Sequence, residues 1–341
     1  MLDDLSYIDR TDKIDALGIA QKEPEQLTYN FNLSIDYKGI ENVVYAAMGG
    51  SALAASLSCS WPGYRLPFEI VRGYNLPDYV SSKTLCIVAS NSGNTEETLS
   101  ALAEAEARGA KIVVIAGGGK LLEIAKTKGY PLAVLPDAKQ PRYAVFYNLK
   151  ALIDIGQQVN IFSNTDFAQI SAVIPLLNEK AKTWQAIIPL KDNLAKQIAL
   201  DCLGKSVVIY GGPLMAPVAY KWKISFNENA KHIAWCGYYS EFNHNEFIGW
   251  SQQPVDKPYA IIELRSDLEH PRIQQRFDLS DRLLSGKRPE PIVVDMQGKS
   301  IIEQMLFGVM LGDFVTLYTA IASGIDPAPV ELVEKFKLML K

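Results

Sequence analysis

The sequence predicts an α/β protein built twice over, with two doubly wound halves that each hold a mostly parallel sheet flanked by helices. Three observations carry this. Short unbroken apolar runs recur at 43–47, 85–89 and 112–116, the pattern of strands buried on both faces. Helical patterns separate those runs, and alternation of strand and helix gives parallel sheets. The order then repeats: apolar runs at 207–210, 259–264 and 292–295 follow in the second half, and Gly211-Gly212 echoes Gly49-Gly50.

In chain order, Val43-Val44-Tyr45-Ala46-Ala47 reads as a strand, Met48-Gly49-Gly50-Ser51 as a turn, and a helix starts at Ala52. The second strand is 85–89, followed by a helix over 96–108 that Gly109 closes, because glycine tolerates the left-handed conformation that ends helices. The third strand, 112–116, is closed by Gly117-Gly118-Gly119. A helical pattern through Asp166, Ile170, Ile174 and Leu177 supplies a join near 160–185, so the expected domains are 1–160 and 161–341. The last helix begins near Pro329, with Val330, Val333, Phe336 and Leu340 as its apolar stripe.

A chain of 341 residues suits two domains, and 48% apolar with 21% charged residues is ordinary for a protein with a large core. A net charge of −4 with scattered basic residues gives no electrostatic case for nucleic acid. Cys59, Cys86, Cys202 and Cys236 are widely spaced, which reads as reduced thiols rather than a disulfide framework or zinc site. His232, His244 and His270 lack ligand-type neighbours at short spacing, so no metal is expected. The opening Met1-Leu2-Asp3-Asp4 is not a basic-then-apolar leader, and no uncharged apolar stretch approaches membrane-spanning length. The expectation is a cytoplasmic protein with no membrane partner.

The most informative stretch is Ser90-Asn91-Ser92-Gly93-Asn94-Thr95, set between a strand and a helix. Its three hydroxyls, its Gly-Asn turn and the positive end of the following helix suit a small dianion such as a phosphomonoester. Gly49, Gly50 and Ser51 belong to the same sheet edge, the carboxyl ends of the strands, where open α/β sheets bind ligands. No lysine follows in the manner of a nucleotide triphosphate loop, and the glycine spacing and Arg72 disfavour a dinucleotide. The blander alternative is that Thr95 or Asn94 merely caps the helix. After the run at 259–264 the chain reads Arg265-Ser266-Asp267-Leu268, without the hydroxyl loop, so one anion site per chain is expected.

Met48-Gly49-Gly50-Ser51 and the loop at 90–95 resemble the sugar isomerase (SIS) domain family. Phe226-Asn227-Glu228-Asn229-Ala230-Lys231, Asn243-His244-Asn245-Glu246 and the segment 329–335 look like the bifunctional phosphoglucose/phosphomannose isomerases. The resemblance spans about 40–340 and implies two SIS-type, flavodoxin-like subdomains. It implies interconversion of glucose 6-phosphate and fructose 6-phosphate through a cis-enediol, with no cofactor. In it Glu228 is the base that moves the proton, His244 and Lys335 assist ring opening, and Arg142 steadies the enediolate. Ser51, Ser90, Ser92 and Thr95 with Gly49 and Gly50 hold the substrate. It further implies a homodimer in which His244 is donated across the interface. Read without it, Glu228 is an ordinary glutamate in a polar loop, which Asn227 and Asn229 are placed to orient. Arg142 is then a loop arginine, and Lys335 a cation near a helix C-terminus. Members acting on mannose 6-phosphate are expected to carry threonine where this chain has Ala328, so mannose 6-phosphate is expected to be the poorer substrate. The alternative function is a non-catalytic sugar-phosphate sensor.

Overall fold

The computed structural model describes residues 1–252 and 258–340. The chain divides into two compact units, Lys22–Ile174 and Met1–Gln21 with Pro175–Lys341. The division falls inside the helix Ala168–Thr183. Residues 161–174 therefore stay with the first unit. The opening residues join the second, where the Tyr7 hydroxyl donates to the carbonyl of Ile321 at 3.1 Å.

The first unit holds strands β1 (Asn42–Ala47), β2 (Phe68–Val71), β3 (Thr84–Ser90), β4 (Lys111–Ala116) and β5 (Leu132–Val134). Its main helices are α1 (Gly49–Ser60), α2 (Glu96–Ala107), α3 (Gly119–Lys128) and α4 (Val145–Val159). All strands run parallel, in the order β2-β1-β3-β4-β5. The apolar runs are unbroken because both faces are covered. Val44, Ala46, Cys86, Val88, Ile112 and Val114 meet Leu102, Ala105, Leu121 and Ala125 of the helices on one face. Val43, Tyr45, Leu85, Ile87, Val113 and Ile115 point the other way and are equally buried. The turn expected at 48–51 is already helical: α1 starts at Gly49, so Gly50 and Ser51 lie in its first turn.

The second unit holds β6 (Ser206–Gly211), α5 (Ala216–Glu228), β7 (Ala234–Tyr238), β8 (Tyr259–Arg265), α6 (Pro271–Leu284), β9 (Ile292–Asp295), α7 (Ile301–Ala322) and α8 (Glu331–Met339). The sheet is again parallel, ordered β7-β6-β8-β9, which matches β2-β1-β3-β4 strand for strand. The repeat seen in the sequence is therefore a repeat of topology. Helix α7 is long and apolar enough to cross a membrane, yet its most apolar window is wholly buried. It packs against α5 and the helix Leu194–Cys202. A complete capping box, Ser300 with Glu303, sets its start. The helix is not an uncharged stretch, since Glu303 and Asp313 lie within it. The Asp313 carboxylate is buried against Lys221 of α5, as a core helix allows and a lipid-facing one does not.

Candidate active site

Parallel pairing aligns the ends of the three central strands of the first unit. Ala47 lies beside Ala89, and Ser90 beside Ala116. The strand order reverses between β1 and β3, the switch point where two successive loops part and leave a crevice. Both the first turn of α1 and the loop at 90–95 open there. They are joined directly, since the backbone N–H of Asn91 donates to Ser51 Oγ at 3.2 Å, while Tyr45 donates to the Ser51 carbonyl.

Within the loop the hydroxyls converge on Ser90. Its Oγ lies 2.9 Å from Thr95 Oγ1 and 3.5 Å from Ser92 Oγ, and it accepts the N–H of Gly93 at 3.1 Å. Three hydroxyls carry three donor hydrogens and two contacts consume two, so one remains for a ligand. Thr95 is the N-cap residue of α2 but makes no side-chain capping bond. Asn94 does not cap α2 either; its Oδ1 accepts the N–H of Lys120 at the start of α3. Simple capping of α2 is thus excluded as the reason for these residues, and the first N–H groups of α2 keep their partial positive charge. Glu96 is drawn aside by Tyr74, whose hydroxyl donates to it at 3.3 Å.

Arg142 is not a surface arginine. It sits in the single turn Pro141–Tyr143 and is only 1% exposed. Its guanidinium lies 4.8 Å from the centre of the Tyr143 ring. The first turn of α1 packs against this segment so closely that a Cβ on Gly50 would stand 3.2 Å from the Pro141 carbonyl oxygen. Gly50, Ser51, Ser90, Ser92, Thr95 and Arg142 are thereby gathered at one end of the first sheet.

In the second unit Glu228 is the last residue of α5 and is half-buried. The neighbouring amides brace the turn: Asn227 Nδ2 donates to the carbonyl of His232 at 2.8 Å, and Asn229 Nδ2 to Thr316 Oγ1 of α7 at 3.0 Å. A further residue in this motif carries weight that sequence reasoning missed. Lys231, at a left-handed φ of 53°, points its ammonium at four carbonyls. Two belong to the turn that ends α5, Glu228 at 2.9 Å and Asn229 at 3.2 Å; two belong to the segment before α8, Asp326 at 3.1 Å and Pro327 at 2.9 Å. It fastens the Glu228 turn to the segment that contains Ala328.

His244 ends a short 3-10 turn, Glu241–His244, and is exposed. The turn is held from behind. Asn243 donates to Ser280 Oγ at 2.9 Å and accepts from Arg276 at 3.1 Å. Glu246 accepts the Tyr210 hydroxyl, which in turn accepts Trp250 Nε1 at 3.2 Å. Lys335 is exposed on α8, and the apolar stripe expected there is not packed, with Phe336 62% exposed. The bonds that Asn227, Asn229 and Lys231 make around the Glu228 turn involve neither His244 nor Lys335.

The switch point of the second sheet is filled from within. Glu269 accepts the N–H groups of Leu214 at 2.8 Å and Met215 at 3.3 Å, where α5 begins. Gly212 leaves it room, since a Cβ there would stand 2.4 Å from the carboxylate. Burial pushes the Glu269 carboxyl above its ordinary range, against the lowering effect of those two N–H groups. Among the described residues, no group of three or more His, Cys, Asp or Glu side chains is arranged to hold a metal ion.

The family described as "Bacterial phospho-glucose isomerase C-terminal SIS domain" matches residues 191–340. A bifunctional phosphoglucose/phosphomannose isomerase of Caldicellulosiruptor bescii is 34% identical over 324 residues, covering 92% of this chain and 95% of the relative. Its counterpart in Aquifex aeolicus is 34% identical, covering 89% and 91%. A crystal structure of a glucose-6-phosphate isomerase like protein from Thermus thermophilus superposes with a TM-score of 0.67 over 99% of this chain and 98% of that one, at 17% identity.

Proposed function

Because the chain belongs to the family of bifunctional phosphoglucose/phosphomannose isomerases, we propose that it interconverts glucose 6-phosphate and fructose 6-phosphate, and mannose 6-phosphate more slowly. The observation that carries the reading is the convergence of three hydroxyls beside a helix start that no side chain caps. In this reading Ser90, Ser92, Thr95 and Ser51, with the close approach allowed by Gly49 and Gly50, hold the phosphate. His244 and Lys335 move the proton that opens the sugar ring. Glu228 removes the proton from C2 of the open aldose, holds it while the cis-enediolate forms and a proton passes from O2 to O1, and returns it to C1. The two electrons of the C–H bond pass into the enediolate and back, so no outside oxidant or reductant takes part. Arg142 balances the enediolate charge, for which a fixed guanidinium is suited.

Two features support the finer parts. His244 is exposed on a turn braced by Asn243 and Glu246, which suits donation to a second copy of the chain in a homodimer. Ala328 is buried and offers no hydroxyl where the resemblance expects one, which favours slower turnover of the mannose epimer. A cytoplasmic location fits a phosphorylated substrate.

The test is a coupled assay on fructose 6-phosphate and mannose 6-phosphate with EDTA present. Activity on the first exceeds that on the second. Glu228→Gln loses about 100- to 10,000-fold in kcat, the usual weight of acid–base catalysis. Isomerisation by that variant near the parent rate rules out Glu228 as proton carrier, and turnover of neither sugar by the parent protein favours the sensor alternative.

A further inference from the structure

The Gly117-Gly118-Gly119 turn that closes β4 lies against the hydroxyl loop backbone to backbone. The N–H of Gly117 donates to the Asn91 carbonyl at 3.1 Å, and that of Leu121 to the Gly93 carbonyl at 2.9 Å. Asn94 spans both turns: its Oδ1 accepts from Lys120 N at 3.1 Å, and its Nδ2 donates to the Ser92 carbonyl at 3.2 Å. The contact leaves no room for side chains. A Cβ on Gly117 would stand 2.7 Å from the Asn91 carbonyl oxygen, one on Gly119 2.4 Å from that of Ser92, and one on Gly93 1.7 Å from that of Gly118. Gly93 and Gly119 also have φ of +66° and +64°, where any other residue is strained. Gly118 is different. A Cβ there meets nothing within 4 Å, and its extended φ of −179° suits any residue.

We infer that Gly117, Gly119 and Asn94 are positioning residues for the anion loop. They press the backbone of residues 91–93 into the one arrangement in which the Ser90, Ser92 and Thr95 hydroxyls converge. They touch no substrate themselves, and they act on phosphate affinity rather than on proton transfer. This rests on the reading of the 90–95 loop as the phosphate anchor. It explains why a glycine-rich turn follows the neighbouring strand although no ligand group is assigned to it. Gly117 is the informative position, because its backbone is not in the left-handed region and an added methyl acts only by pushing the Asn91 carbonyl.

The experiment adds one methyl at each of two adjacent positions, Gly117→Ala and Gly118→Ala, and measures kinetics on fructose 6-phosphate alongside direct titration of inorganic phosphate. A shift of a few tenths of an ångström in a binding constellation is expected to cost about tenfold. Gly117→Ala therefore raises KM and the phosphate Kd together by about that factor, leaving kcat within about threefold and its pH profile unchanged. Gly118→Ala matches the parent protein in every respect. Asn94→Ala, which removes the bridge without adding volume, moves KM and Kd in the same direction and keeps the test open where Gly117→Ala melts early. Equal effects at 117 and 118, or a loss confined to kcat, overturn the inference. A parent protein without turnover whose phosphate Kd still ranks the variants this way sinks the isomerase reading and upholds this one.

Discussion

Asp313→Leu is the sharpest probe of how the second unit holds α5, the helix that ends in Glu228. Asp313 on α7 is 1% exposed and Lys221 on α5 is 0% exposed. The Lys221 ammonium is bonded to Asp313 Oδ1 and, at 2.7 Å, to Ser225 Oγ, which itself donates to Asp313 Oδ1 at 3.0 Å. Removing the carboxylate leaves a dry ammonium with one neutral acceptor. Removing a single partner of a buried pair costs about 3–5 kcal/mol, a large part of the roughly 5–15 kcal/mol that holds a domain folded. Lys221→Met is expected to cost as much, because Asp313 Oδ2 already has no hydrogen-bond partner among the described residues. The double variant Lys221→Met/Asp313→Leu removes both desolvation penalties and is expected within about 1 kcal/mol of the parent. Urea unfolding read by circular dichroism measures all four proteins as a double-mutant cycle. Activity follows the same order, because the Asn229–Thr316 bond one turn further along α7 survives in the double variant. Single variants that each cost under about 1 kcal/mol, or a double variant as damaged as the two singles added, would refute the argument.

Two further outcomes are expected. Lys231→Met releases the Glu228 turn from residues 326–327. If Glu228 is the proposed proton carrier, misplacing it is expected to lower kcat about 10- to 100-fold while KM stays nearly constant, with Lys231→Arg recovering part of the loss; steady-state kinetics in which KM rises instead would reject it. Glu269→Gln keeps an acceptor for the two N–H groups but cannot ionise. Because burial raises the Glu269 carboxyl above the ordinary 4.5, the folded state binds more protons than the unfolded one between those two values. That contribution to stability is complete below the ordinary value and is lost as pH rises through the raised one. Melting temperatures of parent and variant therefore separate in favour of the variant on going from about pH 4.5 to about pH 7, and a constant difference would show that Glu269 is not strained.

The fold was legible where burial is two-sided. The runs at 43–47, 85–89 and 112–116 are apolar throughout because helices cover both faces of the sheet, so composition alone marks them. Strands β5 and β7 escaped notice for the opposite reason. The first has only three residues, and the second, Ala-Trp-Cys-Gly-Tyr, is an edge strand that leaves Trp235 and Tyr238 about half exposed. The candidate site stood out as residue types in a loop, and its supports did not. Nothing local marks Arg142 as buried, or Lys231 as a clasp on residues nearly a hundred positions away. Those roles come from contacts between segments distant in sequence. The glycine run after β4 is a local hint in the sequence, whereas the left-handed φ of Lys231 shows only in the structure.

The two sheets show why one topology yields a hydroxyl loop in one half and none in the other. Both have a switch point, and both place a helix start beside it. A helix start with unsatisfied N–H groups in such a place needs an acceptor. In the first unit none is built in at the start of α2, and the surrounding groups are hydroxyls, which can donate to an incoming anion. In the second unit the counterpart of α2 is α6, which follows β8, and His270 supplies its acceptor by taking the N–H of Arg272 at 3.1 Å, while the adjacent Glu269 accepts the N–H groups of Leu214 and Met215 just before α5, with Gly212 kept bare to admit it. A resident carboxylate excludes a dianion by occupying its volume and by charge repulsion alike. The expectation of one anion site per chain, first drawn from a missing motif, is compatible with this arrangement, in which His270 caps α6 and the Glu269 carboxylate occupies the second switch point.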